Sequence, residues 1–145
     1  MKIEILTEKH LKEILEIEKE LFPVPWTEFD FRMILLDISF NFVLTENDKI
    51  AGYICSILES KDSVHLLNFA ISKEYQKKGY GTRFLYFFLY HLLKPSGINN
   101  VILEVRESNK IALKLYKKFG FTIIDKRIGY YQSPQEDALI MALKI

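Results

Sequence analysis

The sequence predicts an α/β fold in layers, built on a mixed β-sheet. Segments with the apolar pattern of strands are interleaved with segments whose apolar residues recur at helical spacing, in the order β-α-α-β-β-β-α-β-α-β-β. Strand-helix-strand units imply some parallel pairing, and short turns between other strands indicate hairpins. A chain of 145 residues suits one domain, residues 1–145, with a single core.

A helix follows the first strand and ends at a double proline. Residues 2–6 alternate like a strand, and apolar residues recur at helical spacing across residues 8–22. Pro23 and Pro25 cannot continue the backbone hydrogen bonds of a helix. Thr27 and Asp30 are then spaced like a capping box, which predicts a second short helix ending near residue 36.

Three strands come next. The strand-like runs 40–46 and 49–59 flank the turn sequence Asn47-Asp48, which indicates a hairpin. A further turn leads into residues 63–72, whose partly continuous apolar run is typical of a strand covered on both faces. Cys55 lies within this region and is expected to be a buried core residue rather than a nucleophile.

The second half of the chain alternates helices and strands. Its predicted helices are residues 81–93 and 110–119, and its predicted strands are residues 101–105, 121–130 and 138–144. The apolar side chains of the first of these helices suit either a core or an interface. Asn109 or Ser108 is a good cap for the second helix, and Gly120 is a good residue to end it.

Composition excludes several classes of function. A net charge of +1 gives no reason to expect nucleic-acid or anionic-membrane binding. The longest apolar runs are too short to span a bilayer, and no apolar signal segment follows Met1. A single cysteine fits a reducing compartment, so a cytoplasmic location is expected. The three histidines have no metal-ligand spacing, so no metal is expected.

The loop between the 63–72 strand and the 81–93 helix suits a pyrophosphate group. Gly79 and Gly81 allow close approach of the backbone, and the N-terminus of a helix offers unpaired N–H groups. Lys77 and Lys78 add positive charge. The same residues also fit a plain turn with a solvated face. The loop lacks the Walker motif and the third glycine of a dinucleotide fingerprint, so nucleotide binding ranks low.

From this loop outward the sequence resembles the GNAT acetyltransferase superfamily. The family's acetyl-CoA loop, Arg/Gln-x-x-Gly-x-Gly/Ala, is matched by Gln76, Gly79 and Gly81. Residues 67–71, 103–109 and 112–121 are similar to the family's flanking strands and its helix end. The resemblance implies a mixed, mostly antiparallel central sheet of about seven strands, flanked by about four helices. It also implies acetyl-CoA as co-substrate and no metal.

Within the superfamily the chain is most similar to the RimI type, which acetylates the N-terminal alanine of a small-subunit ribosomal protein. The similarity is found in residues 22–26, 104–109, 130–131 and 136–141. Val24 is an extra residue in the proline-tryptophan loop, which lies on the acceptor side in the family. The acceptor therefore stays open between a protein N-terminus, a lysine side chain and a small amine. A non-catalytic CoA-binding sensor is a further alternative.

Glu104 is the candidate general base and Tyr116 the candidate general acid. Apolar neighbours along the strand of Glu104 would raise the pKa of its carboxyl and improve it as a base. Alternatively, Glu104 faces solvent or pairs with Arg106. Tyr116 matches the position of the family's acid, and a phenol can protonate a departing thiolate. Alternatively, it packs as a helix residue beside Phe121.

The resemblance also implies two sets of binding residues. The expected cofactor-binding residues are Phe69, Ala70, Ile71, Gln76, Lys77, Lys78, Gly79, Tyr80, Gly81, Thr82, Asn109 and Tyr116. Asn109 would contact the pantetheine arm, cap the helix, or do both. The expected substrate-binding residues are Trp26, Asn68, Tyr130 and Tyr131. The aromatic members of this set equally suit core or edge positions.

Overall fold

Seven strands form one continuous sheet in the computed structural model, which describes residues 1–36 and 40–145. The strands are β1 (Lys2–Ile5), β2 (Phe42–Glu46), β3 (Lys49–Ser60), β4 (Ser63–Ile71), β5 (Asn100–Arg106), β6 (Thr122–Tyr131) and β7 (Glu136–Lys144). The helices are α1 (Leu11–Leu21), α2 (Glu28–Leu35), α3 (Tyr80–Phe87, continued by a π-helical segment Phe88–Leu93) and α4 (Lys110–Lys118).

The sheet is mixed and mostly antiparallel, which confirms the predicted fold class. Its strand order is β1-β2-β3-β4-β5-β7-β6. Among the strand pairs of the described residues, β4 and β5 alone run parallel. The predicted hairpin turn is confirmed, because Asn47 and Asp48 have the positive φ angles, 51° and 62°, that a tight hairpin requires.

Helices cover both faces of the sheet. Neighbouring strand residues alternate between two apolar clusters, since Val43 packs with α1 and α2 whereas Leu44 packs with α3 and α4. Cys55 is fully buried in the α1–α2 cluster, as predicted. Phe84, Leu85, Phe88 and Leu89 of α3 and its continuation are fully buried in the core, whereas Phe87 is half-buried. No helix in the described ranges is long and apolar enough to cross a bilayer.

The parallel strands β4 and β5 separate halfway along their length. Pairing between β4 and β5 runs from Ser63 opposite Asn100 to Leu66 opposite Leu103, and it goes no further. Beyond that point residues 68–71 of β4 pair on their other side with β3, and residues 104–106 of β5 pair with β7. The two strands therefore leave facing backbone edges at their carboxyl ends, which is where open α/β sheets bind ligands.

Candidate active site

A cleft of about 740 Å³ opens where β4 and β5 diverge. It brings together eight of the predicted site residues: Trp26, Asn68, Phe69, Glu104, Asn109, Tyr116, Tyr130 and Tyr131. The other predicted cofactor residues, Ala70, Ile71 and residues 76–82, lie outside its lining, at the end of β4 and the start of α3. The candidate base, the candidate acid and the candidate acceptor residues thus share one cavity.

Glu104 enters the cleft from β5 and is held by a histidine. Its side chain is 15% exposed, and its Oε2 lies 2.5 Å from Nε2 of His65 on the neighbouring strand. Neither sequence-based alternative for Glu104 is correct. Its side chain is not left to solvent, and the ion-pair partner of Arg106 is Glu136, at 3.2 Å.

His65 was missed by the sequence analysis, which treated the histidines as scattered. Its second ring nitrogen, Nδ1, lies 2.9 Å from Oε1 of Glu59, so the ring is clamped between two carboxylates. The hydrogen bond with Glu104 raises the pKa of His65, assisted by Glu59 and opposed by burial. We call this set Glu59, His65 and Glu104 the carboxylate–histidine chain.

Tyr116 lines the cleft opposite the strands, from the last turns of α4. Its ring packs edge-to-face on Phe121, with ring centroids 5.4 Å apart, as the packing alternative for this tyrosine predicts. Burial, followed by the proximity of Tyr131, raises the pKa of the Tyr116 phenol. The hydroxyl therefore stays protonated throughout the neutral range.

A buried carboxylate organises the acceptor side of the cleft. Glu18 of α1 is 2% exposed, and its Oε1 accepts hydrogen bonds from the Tyr53 hydroxyl (2.5 Å) and from Nδ2 of Asn68 (2.9 Å). Its Oε2 accepts the backbone N–H of Trp26 (2.9 Å). Glu18 was not among the predicted site residues, although a charged residue seven positions after Leu11 on the apolar stripe of α1 is a signal in the sequence.

The hairpin between β6 and β7 closes another side of the cleft. Tyr130 and Tyr131 stack with ring centroids 5.0 Å apart. The Arg106 guanidinium lies 4.4 Å from the centroid of the Tyr131 ring and donates hydrogen bonds to the carbonyls of Gln132 and Pro134. Burial raises the pKa of Tyr131 to about 12. These contacts hold the two aromatic rings at the cleft wall.

The α3 N-terminus has the features that a pyrophosphate requires. Gly79 takes a left-handed conformation, with φ +83°, and the first hydrogen bond of the helix runs from the N–H of Arg83 to its carbonyl. The N–H groups of residues 80–82 precede that bond and so belong to the unpaired end of the helix. A Cβ on Gly81 would meet Ile71 at an ordinary 3.6 Å, so packing within the chain does not demand glycine there.

Gln76 and Asn109, near this loop, form hydrogen bonds within the protein. The Gln76 side chain donates a 2.8 Å hydrogen bond to the Ile71 carbonyl, which fastens the loop to the end of β4. Asn109 accepts the backbone N–H of Ala112 at 3.1 Å, which confirms its predicted role as a helix cap. Lys77 and Lys78 are exposed. The free β4 edge, this loop and Asn109 together fit a long, phosphate-bearing cofactor such as acetyl-CoA.

No group of three or more metal-ligating side chains within residues 1–36 and 40–145 could hold a metal ion. The carboxylate–histidine chain is a line of hydrogen bonds, with its ring nitrogens already engaged by oxygen atoms. This arrangement suits holding or moving a proton.

The sequence model of the acetyltransferase (GNAT) family matches residues 11–121. This chain belongs to the GNAT acetyltransferase family. The GNAT assignment also fits the loop at α3 and the divergent strands, and it makes the chain an acetyl-CoA-dependent N-acetyltransferase.

Individual relatives are similar over nearly the whole GNAT domain. The [ribosomal protein bS18]-alanine N-acetyltransferase of Haemophilus ducreyi is 37% identical over 145 residues, covering 97% of this chain and 98% of the relative. The crystal structure of the ribosomal-protein-S18-alanine N-acetyltransferase from Escherichia coli superposes with a TM-score of 0.90 at 35% identity, covering 99% of this chain and 93% of that one. Arabidopsis thaliana Naa50, in complex with the bisubstrate analogue CoA-Ac-MVNAL, gives a TM-score of 0.84 at 25% identity, covering 99% and 98%.

Proposed function

We propose that this enzyme acetylates the N-terminal α-amine of a protein, and that the N-terminal alanine of the small-subunit ribosomal protein bS18 is its acceptor. The observation that carries the proposal is the convergence of Glu104, Tyr116 and the acceptor-side residues on one cleft. The names of the relatives that are 37% identical support the same acceptor. Because ribosomal proteins and acetyl-CoA occur together in the cytoplasm, the proposed reaction takes place there.

On the donor side, acetyl-CoA supplies an activated acetyl thioester. The N–H groups of residues 80–82 and the charges of Lys77 and Lys78 suit its pyrophosphate. The unpaired edge of β4, at Phe69 and Ile71, suits the amides of its pantetheine arm. Asn109 lies at the cleft wall beside this edge.

Glu104 is the base in this proposal. An α-amine has a pKa of roughly 7.7–8.0, against about 10.4 for a lysine side chain, so only an α-ammonium gives up its proton readily near neutral pH. Oε2 of Glu104 is engaged by His65, and no described residue forms a hydrogen bond with Oε1. Oε1 is therefore the oxygen that accepts the proton, directly or through a water molecule.

Tyr116 is the proton donor to the leaving sulfur. Its raised pKa keeps the hydroxyl protonated, so a hydrogen-bond donor is present whenever charge develops on sulfur. The same raised pKa makes complete transfer to a free thiolate less favourable than transfer from an ordinary tyrosine. Donation therefore has to accompany departure of the sulfur, with a proton from the attacking nitrogen restoring the phenol.

The side-chain amide oxygen of Asn68, Oδ1, faces the acceptor. A carboxylate accepts hydrogen bonds only, so the contact with Glu18 fixes Nδ2 of Asn68 toward Glu18 and leaves Oδ1 toward the cleft. Oδ1 can then accept an N–H of the acceptor's first residues. Trp26, Tyr130 and Tyr131 form the walls around it and offer flat apolar surfaces with polar edges.

The test is mass spectrometry of a peptide panel after incubation with acetyl-CoA. The panel includes the bS18 N-terminal sequence and variants of its first residue, each with a free or blocked N-terminus and an internal lysine. Acetylation confined to free N-termini, with alanine first preferred, is the expected result. Acetyl groups on lysines of blocked peptides would overturn the acceptor class.

Catalytic roles are tested separately with Glu104→Gln. This variant is expected to bind acetyl-CoA normally and to lose about 10²-fold or more in kcat. Wild-type turnover in Glu104→Gln would remove Glu104 as the base. Acetyl-CoA binding without transfer to any peptide of the panel would favour a small-molecule acceptor or a non-catalytic sensor.

A further inference from the structure

Glu104 stands between two cavities. Besides the catalytic cleft, it lines a groove of about 820 Å³ that is formed mainly by residues of β5 and β7. Among the described residues, Glu104 alone lines both cavities. His65 and Glu59 lie on the groove side, so the carboxylate–histidine chain runs from the cleft to this second opening.

The ring of His65 is charged in this arrangement. Ionised carboxylates can only accept hydrogen bonds, and both ring nitrogens face one, at 2.5 Å and 2.9 Å. A neutral imidazole has a single N–H and would leave one of these contacts without a proton. The hydrogen bonds with both carboxylates raise the pKa of His65, which favours the imidazolium.

We propose that His65 is the positioning residue for the general base, and that Glu59 holds His65 in place from its other side. The inference rests on the proposed role of Glu104. The imidazolium fixes Oε2, so the carboxylate cannot rotate, and Oε1 stays directed to the acceptor.

The proton count of the reaction agrees with this role. An α-ammonium loses two N–H protons when it becomes a neutral amide: one is transferred to the leaving sulfur, and the other forms an O–H bond on Glu104. Glu104 must release that proton before the next turnover. Its contact with the outer groove gives it an exit to water that avoids the substrate-filled cleft.

Four charged residues among those described share the groove with the ring or contact it. Glu59 on β3 and Glu104 on β5 contact it directly, while Arg127 of β6 and Lys144 of β7 line the same groove without an ion pair to the ring. The two glutamates therefore dominate its titration. Glu104 lies closer than Glu59 and is the less exposed partner, 15% against 48%.

The first experiment is an NMR titration of the imidazole signals, which needs no substrate. The chain has three histidines, and His65→Gln assigns the signal of interest by its loss. We expect the pKa of His65 to lie above that of an ordinary histidine. It should fall strongly in Glu104→Gln and fall less in Glu59→Gln. An ordinary pKa for His65 that neither substitution changes would overturn its pairing with the two glutamates.

The second experiment is the pH profile of kcat at saturating substrates. In His65→Gln no imidazolium holds Oε2 of Glu104, so kcat falls about tenfold across the profile while the KM for acetyl-CoA stays near that of the parent. His65→Lys keeps a positive charge and should restore part of kcat. His10→Gln is the matched control, because His10 also pairs with a glutamate, Glu4 at 3.2 Å, away from the cleft.

These outcomes separate the two proposals. An unchanged kcat profile in His65→Gln, together with inactive Glu104→Gln, would overturn the role of His65 and leave Glu104 as the base. Full activity in Glu104→Gln would overturn the base assignment, and the role of His65 with it, whatever the NMR titration shows.

Discussion

The Tyr53 hydroxyl donates a 2.5 Å hydrogen bond to the buried carboxylate of Glu18. This bond ties the centre of β3 to the helix whose carboxylate also holds Asn68 and the Trp26 backbone. Removing the hydroxyl leaves a buried charge with one donor fewer. Stability and the geometry of the acceptor wall therefore depend on the same group.

Tyr53→Phe is expected to lower the free energy of unfolding by about 1.5–3 kcal/mol, the usual contribution of a buried hydrogen bond to a charged group. Urea denaturation at pH 7 measures the change. Tyr86→Phe is the matched control, because Tyr86 is 52% exposed, and it should stay within about 0.5 kcal/mol of the parent. Equal losses in the two variants would contradict the assigned contact.

Stability should fall above about pH 10. Burial raises the pKa of Tyr53, Tyr116 and Tyr131 in the folded protein, so these phenols keep their protons when the unfolded chain begins to lose them. The unfolded state then binds fewer protons, and the free energy of unfolding decreases as pH rises. Each retained proton contributes a slope of up to about 1.4 kcal/mol per pH unit.

Urea denaturation between pH 9 and 11 tests this alkaline loss. Tyr53→Phe should show a shallower decline than the parent, because one late-titrating phenol has been removed. Tyr86→Phe should decline as steeply as the parent. A parent curve that is flat up to pH 11 would show that the buried phenols ionise as readily as free tyrosine.

Gly81→Ala should weaken acetyl-CoA binding about tenfold or more, because its Cβ would occupy the space between the helix N-terminus and the pyrophosphate. The folded protein should lose no stability, since the nearest atoms to that Cβ lie at 3.6 and 3.9 Å. Isothermal titration calorimetry and urea denaturation measure the two effects.

Gly79→Ala is the comparison for Gly81→Ala. Its φ of +83° is unfavourable for alanine, so it should cost about 1–2 kcal/mol of stability. Normal cofactor affinity in Gly81→Ala would place the pyrophosphate elsewhere.

Tyr116→Phe should lower kcat about 10²-fold while leaving the dissociation constant of acetyl-CoA and the unfolding free energy near those of the parent. The hydroxyl makes no hydrogen bond with any described residue, and the ring keeps its packing against Phe121. Steady-state kinetics with the bS18 peptide measure the effect, with Tyr90→Phe as control. A kcat within threefold of the parent would mean that another group protonates the sulfur.

Local features of the fold could be predicted because their causes lie within a few residues. The Asn47-Asp48 turn and the Thr27–Asp30 capping box both form as expected. Asn109 caps α4 in the same way. The 81–93 helix was placed correctly, but its change to π-helical geometry at Phe88 has no local signal that the pattern revealed.

The partners of the site could not be predicted, because they depend on strand register and helix docking. His65 and Glu104 are 39 residues apart, and Glu18 and Asn68 are 50 apart. Alternation within β5 predicted either an apolar or a solvent environment for Glu104. In the structure, the parallel strand β4 places His65 against it. Family resemblance named Glu104 and Tyr116 but gave no reason to select His65 or Glu18.

The separation of β4 and β5 also has a mechanical consequence. Four residue pairs join the four-stranded half of the sheet to its three-stranded half directly. If the two halves were pulled apart, the backbone hydrogen bonds between β4 and β5, which lead into the cleft, would break first. A substrate that spans the opening would add hydrogen bonds between the two halves of the sheet. Separating these halves should therefore require a higher force in the substrate-bound enzyme than in the empty enzyme.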